Sequence, residues 1–125
     1  MSLNIYLKGP AAHSDCVCQG CGHTHVRTVR ETYFSANITH NLNRMAMAVG
    51  IYSPLWRPDE VGVKKASQLI EPLEEGLRLL ESDAARFKKF DSPLGYGVYD
   101  DFVPWLRSYL SACREHPDAD VFAER

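Results

Sequence analysis

Two stretches near the beginning of the chain carry the apolar pattern of β-strands. In residues 3–8 apolar and polar side chains alternate, and the Gly-Pro pair at 9–10 ends the pattern. Residues 26–34 are rich in β-branched and aromatic side chains, which favour a strand. The simplest arrangement is a hairpin of these two strands, and its long loop over residues 9–25 would be flexible unless something ties it down.

Beyond residue 36 the apolar residues recur at helical spacing, and the pattern predicts mainly helices. A first helix, capped by Asn37 or Thr39, is expected to end at Gly50. Further helical segments are predicted over residues 53–56, 63–80, 82–90 and 100–115, followed by a closing strand at 121–122. Pro72 lies inside the longest segment and predicts a kink or a break near Ile70.

These elements predict an α+β fold for a single domain of 125 residues. We expect a small two- or three-stranded antiparallel sheet, edged by the metal-tied loop over residues 9–25. Three to five helices, from a mainly helical part over residues 37–116, should pack against it. The composition, 45% hydrophobic and 24% charged, is that of an ordinary globular protein that folds without disulfides.

The formal net charge is −2, and the charges are unevenly distributed. Residues 1–58 contain five Lys and Arg against two acidic residues, whereas residues 59–125 contain nine against fourteen. A weakly basic half permits contact with nucleic acid, but it lacks the dense basic stripe of a dedicated binder. No signal peptide and no membrane-spanning apolar stretch is found, which predicts a cytoplasmic protein with no membrane partner.

A cluster of cysteine and histidine residues lies in the predicted loop, in the sequence Cys16-Val-Cys18-Gln-Gly-Cys21-Gly-His23-Thr-His25. Cysteines in a cytoplasmic protein stay reduced, so a cluster of this kind indicates metal binding before disulfides. Cys18 and Cys21 have the spacing of a zinc knuckle, in which two intervening residues let both sulfur atoms reach one ion. We therefore predict one Zn2+, with Cys16, His23 and His25 as candidates for the remaining ligands.

Other interpretations of this cluster stay open. The cysteines could form a redox-active disulfide or lie in an unstructured loop, and His40, Cys113 or His116 could supply a ligand from elsewhere. Cys113 falls on the inward face of the last predicted helix, which favours a position in the core. The metal is expected to be structural, because the HExxH and zinc-deaminase patterns are absent. The sequence shows no P-loop and no Gly-x-Ser-x-Gly elbow either, which favours a non-enzymatic role over an enzymatic one.

The first predicted helix begins with an unusually polar segment, residues 36–44. Free backbone N–H groups at a helix start favour anions, so this segment could hold a phosphate or a carboxylate. The candidate ligand-binding residues are Asn37, Thr39, His40, Asn43, Arg44 and Arg57. The alternative is ordinary helix capping by Asn37 or Thr39, with His40 facing solvent.

Several short motifs occur together along the chain. They are Asn37-Ile-Thr-His-Asn-Leu, Gly50-Ile-Tyr, Leu55-Trp-Arg-Pro-Asp-Glu, the helix from Tyr109 to Cys113, and Pro117-Asp-Ala. In this combination the chain resembles a group of small proteins encoded in phage and prophage genomes, for which no function is assigned. The resemblance covers about residues 34–122, and members of the group also tend to carry a Cys-x-x-Cys near the start. It implies a phage-type accessory role in the host cytoplasm.

Two functional hypotheses follow. In the first, the chain is a non-enzymatic accessory protein whose zinc holds the loop as a recognition surface for a host protein or nucleic acid. In the second, the segment over residues 37–43 faces a pocket for a small molecule or nucleotide, used for binding or for metal-dependent catalysis. The second hypothesis requires a concave pocket lined by Arg44 or Arg57.

Overall fold

The computed structural model describes the backbone of residues 2–10, 12–17 and 24–125, and the side chains of residues 2–10 and 30–125. Within these ranges the strands are β1 (Ser2–Lys8), β2 (Ala12–Val17), β3 (Thr24–Val29), β4 (Thr32–Thr39) and β5 (Asp120–Glu124). The α-helices are α1 (Asn43–Ala48), α2 (Tyr52–Trp56), α3 (Ser67–Ser82), α4 (Ala84–Lys88) and α5 (Tyr99–Glu115). Short 3₁₀ helices cover His40–Leu42 and Pro58–Val61. None of the helices in these ranges combines the length and apolar character needed to cross a bilayer.

The main sheet consists of three antiparallel strands in the order β4–β1–β5. Leu3, Ile5 and Leu7 of the central strand are fully buried against the helices, and the residues between them are only partly buried. The alternation follows from the two-residue period of a strand, which turns successive side chains to opposite faces. One face of the sheet therefore carries the core and the other is open. The predicted α+β fold, with a small antiparallel sheet against helices, is confirmed.

The segment predicted as a long loop contains a hairpin of its own. β2 and β3 pair antiparallel and form a separate two-stranded sheet. The predicted single strand over residues 26–34 is therefore wrong, because the chain leaves one sheet at Arg30 and enters the other at Thr32. The first strand is also predicted to pair with a later strand. This is confirmed, because β1 pairs with β4.

The helical part begins later than the sequence pattern predicts. Asn37 still belongs to β4, where it lies opposite Asn4 and donates from its amide to the Asn4 side-chain oxygen at 2.7 Å. A helix start at Asn37 is therefore wrong, because pairing with β1 satisfies this stretch of backbone as a strand. Thr39 does cap a helical turn, since its Oγ1 accepts from the backbone N–H of Asn41 at 3.3 Å.

The predicted break near Ile70 does not occur, because α3 (Ser67–Ser82) is one continuous helix that contains Pro72. The proline removes the hydrogen bond to the carbonyl of Gln68, and its ring crowds that carbonyl, both near the start of the helix. A continuous stripe of buried residues then holds the helix against the core: Leu69, Leu73, Gly76, Leu77 and Leu80. Burial of this stripe outweighs the loss of one backbone bond.

Gly76 supports the close packing of α3 on the segment after α1. A Cβ built on Gly76 would lie 2.6 Å from Cγ2 of Ile51, which is itself buried. We expect Gly76→Ala to lower the free energy of unfolding by about 1–2 kcal/mol, because overpacking outweighs the better helix propensity of alanine. Denaturant unfolding measures this. Ser111→Ala, an exposed position in α5, should change stability by less than about 0.5 kcal/mol. A stabilised Gly76→Ala variant would contradict the packing.

Candidate functional site

The hairpin places two of the predicted metal ligands at paired backbone positions. Cys16 of β2 lies directly opposite His25 of β3, one pair before the last pair of the hairpin. Cys18, Cys21 and His23 lie outside the described residues, as do the side chains of Cys16 and His25. Among the side chains that are described, no group of three or more His, Cys, Asp and Glu residues could hold a metal ion.

The remote candidates for metal ligation occupy structural positions. Cys113 is 0% exposed in the core, and burial raises the pKa of its thiol to about 12. A thiolate ligand is disfavoured there, because the charged form loses its hydration. His116 stacks on Tyr33 with ring centroids 4.4 Å apart. These environments agree with the predicted core position of Cys113.

His40 is held in place by a buried indole. The Nε1–H of Trp56 donates to Nδ1 of His40 at 2.8 Å, and Trp56 is only 2% exposed. Because Nδ1 accepts this hydrogen bond, the proton of the neutral imidazole lies on Nε2. His40 is thus oriented by the core and retains one donor for a ligand.

A glycine-containing loop, residues 89–98, packs against the polar segment. Asn41 donates from its amide to the backbone carbonyl of Tyr96 at 3.3 Å. Gly97 has φ +83°, and a Cβ built on it would lie 2.7 Å from Cβ of Asn41. Only glycine fits this backbone conformation and this approach without strain. The loop therefore comes close enough to place its own polar residues beside His40.

The polar segment and this loop line one cavity of about 530 Å³, which we call the anion cavity. Its polar and basic residues are His40, Asn41, Asn43, Arg44, Lys89 and Ser92. Phe90 and Pro93 contribute apolar wall. This volume lies in the range of small-molecule sites and exceeds what a single inorganic ion needs.

The lining of the anion cavity carries two cations and one carboxylate, which leaves a formal charge of +1 with His40 neutral. Most cations with described side chains have a carboxylate or an aromatic partner, such as Lys88 with Asp100. Among the ion pairs of the described residues, Arg44 and Lys89 take part in none. The one acid in the lining, Asp91, accepts the Tyr99 backbone N–H at 2.7 Å, at the start of α5. The arrangement suits an anionic group.

The remaining predicted residues lie elsewhere. Asn37 and Thr39 line a smaller cavity of about 240 Å³, with Tyr96 and Trp105. Arg57 bonds to the Tyr52 hydroxyl at 3.4 Å and pairs with Glu60, and both raise the pKa of its guanidinium. The structure thus brings together His40, Asn43 and Arg44, and it separates Asn37, Thr39 and Arg57 from them.

Comparisons with known proteins identify no family for this chain. No protein-family model matches the sequence. No curated protein matches it, and no solved structure matches the fold.

Sequence reasoning missed Lys89 and Ser92, which complete the anion cavity. Both are more than 40 residues from the polar segment, and nothing in a single sequence connects the two stretches. Local signals exist: two lysines followed by a loop with Pro93, Gly95 and Gly97. They predict a loop but give no information on what it contacts.

His40→Ala is expected to lower the free energy of unfolding by about 1–3 kcal/mol, because it leaves the buried Trp56 N–H without an acceptor. Denaturant unfolding of a double-mutant cycle with Trp56→Phe separates this effect from lost packing. In the Trp56→Phe background, which lacks the donor, His40→Ala should lower the free energy of unfolding by clearly less. If the two substitutions instead lower it by additive amounts, the hydrogen bond does not contribute to stability.

Proposed function

We propose that the protein binds a small anionic ligand in the anion cavity and that it acts as a non-enzymatic accessory protein. The observation that supports this most is the convergence of Arg44, Lys89 and His40 on one cavity. Arg44 and Lys89 take part in no ion pair among the described residues, so both are available to an anion. The resemblance to phage and prophage proteins supports an accessory role in the host cytoplasm.

A phosphate monoester fits the cavity best. At pH 7 such a group carries a charge of about −1.5 to −2 and three acceptor oxygens. Arg44 and Lys89 match the charge, and the amide of Asn43 and the hydroxyl of Ser92 supply neutral donors. The volume leaves room for the group that carries the phosphate, beside Phe90.

Isothermal titration calorimetry with three probes tests the proposal: inorganic phosphate, adenosine monophosphate and adenosine. We expect both phosphate-containing probes to bind and adenosine to bind at least about 10-fold more weakly, because it offers the cations no charge. Equal affinity for adenosine and its monophosphate would contradict an anion site. Failure of both phosphate probes to bind would contradict it as well.

A second function is supported by the hairpin. We further propose that the Cys16–His25 cluster binds one Zn2+ and holds the hairpin as a recognition element for a host protein or nucleic acid. A two-stranded hairpin is marginally stable in water by itself, and β2 and β3 form a two-stranded sheet within the described residues. Pairing of Cys16 with His25 fits a metal at this end of the hairpin. The bound ion would cross-link the two strands of the hairpin and would take part in no reaction.

Native mass spectrometry tests the zinc proposal. One zinc per chain under native conditions, lost under denaturing conditions, is the expected result. A chain without metal whose mass is two units low would show a disulfide and contradict the proposal.

A further inference from the structure

The open face of the main sheet combines two aromatic rings with cations. Tyr6 of β1 lies directly opposite Phe122 of β5, so both rings lie on the face away from the core. Phe122 is 39% exposed and Tyr6 is half-buried. We call Tyr6, Lys8, Arg30 and Phe122 the aromatic–basic face.

The cations of this face lie over the rings. Nζ of Lys8 is 5.2 Å from the ring centroid of Tyr6 and 5.4 Å from that of Phe122. Cζ of Arg30 is 5.3 Å from the Phe122 ring. A base that stacks on these rings would displace the two long side chains from the ring faces, and their charges would then lie beside the base, within reach of its phosphate.

Two acids of β5 lie on this face, Asp120 and Glu124, and Asp120 is already paired with cations. Asp120 accepts hydrogen bonds from Lys65 at 2.6 Å and from Arg30 at 2.8 Å, and these bonds lower the pKa of its carboxyl group. Lys8, which faces Asp120 across the strands, makes no ion pair among the described residues. A cavity of about 440 Å³ includes Phe122 in its wall, and its charged lining residues are Arg30, Lys64, Asp59 and Asp120. Lys8 is therefore the cation beside the rings that remains available to a negatively charged chain.

We propose that the aromatic–basic face binds single-stranded nucleic acid, with bases stacked on Tyr6 and Phe122 and phosphates near Lys8 and Arg30. Aromatic residues on adjacent strands of an open sheet are a recurrent stacking platform for unpaired bases. Tyr, Phe and Arg are also common at protein interfaces, whereas lysine is depleted there, so the position of Lys8 over both rings favours the nucleic acid. The polar pair Asn4 and Asn37 continues the same face along the strands.

Fluorescence anisotropy with a labelled 12-nucleotide oligouridine tests this inference, at 50 mM salt with the full chain. The dissociation constant should be about 1–100 µM and should weaken as salt rises. Phe122→Ala and Tyr6→Ala should each weaken binding about 5- to 100-fold, because each removes one stacking surface. Lys8→Ala should reduce the slope of log affinity against log salt by about 0.7, the value for one phosphate of a single strand.

Two exposed controls lie away from this face. Met47→Ala in α1 and Arg78→Ala in α3 remove an apolar side chain and a cation, and both should leave oligouridine binding within about 2-fold. Circular dichroism checks that all variants are folded. A labelled oligodeoxyuridine of the same length, which differs only in the ribose hydroxyl, shows whether that hydroxyl contributes.

Three results would overturn the inference. Duplex RNA that binds as tightly as the single strand would show attraction by charge without stacking. Unchanged affinity in both Tyr6→Ala and Phe122→Ala would place any binding elsewhere. Absence of binding to both single strands at 200 µM protein would leave the face without this ligand, and a protein would then be the remaining occupant.

Discussion

Replacing both Arg44 and Lys89 by alanine is expected to weaken binding of adenosine monophosphate at least about 100-fold. Each side chain is placed to make a charge-assisted hydrogen bond to the phosphate, worth about 1.5–3 kcal/mol, and both line the same cavity. Because both side chains are exposed and make no ion pair among the described residues, the fold should keep its stability. Calorimetric titration measures the affinity, and thermal unfolding measures the stability.

The matched control removes two positive charges elsewhere. Lys64→Ala/Arg78→Ala lowers the net charge by the same amount, and neither residue lines the anion cavity. Its affinity should stay within about 2-fold of that of the unchanged protein. Equal weakening in the two double variants would mean that overall charge, and not the cavity, attracts the ligand.

Removal of zinc is expected to open the hairpin and leave the main sheet folded. Backbone amides in residues 12–17 and 24–29 should exchange with deuterium at least about 100-fold faster in chelator. The reason is that structural zinc supplies about 10–16 kcal/mol in small metal-binding peptides, whereas an isolated hairpin is marginal. β1, β4 and β5 form a separate sheet on the core, so their amides should keep their protection.

The control for this experiment is the chain with Cys18→Ser/Cys21→Ser. It should exchange rapidly in the hairpin without chelator, and chelator should then have no further effect. Unchanged hairpin protection in chelator would contradict a metal. Loss of protection throughout the chain would contradict the separation of the two sheets.

The sequence predicts the elements of this fold better than their ends. The apolar stripe of α3 is strong enough to predict the helix, yet Pro72 suggested an interruption that burial of the stripe prevents. Asn37 has the side chain of a helix cap, but pairing with Asn4 keeps it in β4. In both cases tertiary contacts decide between local alternatives that the sequence leaves nearly balanced.

About half of the residues that line the anion cavity could be predicted from the polar segment of the sequence. His40, Asn43 and Arg44 come from residues 37–44, where a helix start after a strand was evident. Lys89 and Ser92 could not be predicted, because their place depends on the contact of Asn41 with Tyr96 and on the close approach of Gly97. The role of Trp56 as a donor to His40 also depends on folding, since 16 residues separate them.

The most direct test of the anion cavity is the ¹H–¹⁵N long-range spectrum of the histidine imidazoles during titration with adenosine monophosphate. His40→Ala assigns the His40 signals. We expect a saturable shift of His40 Nε2, the nitrogen that Trp56 leaves free, while the signals of His116 stay unchanged. The shift should be absent in Arg44→Ala/Lys89→Ala. A His40 signal that does not move while the ligand binds would contradict a site at this cavity.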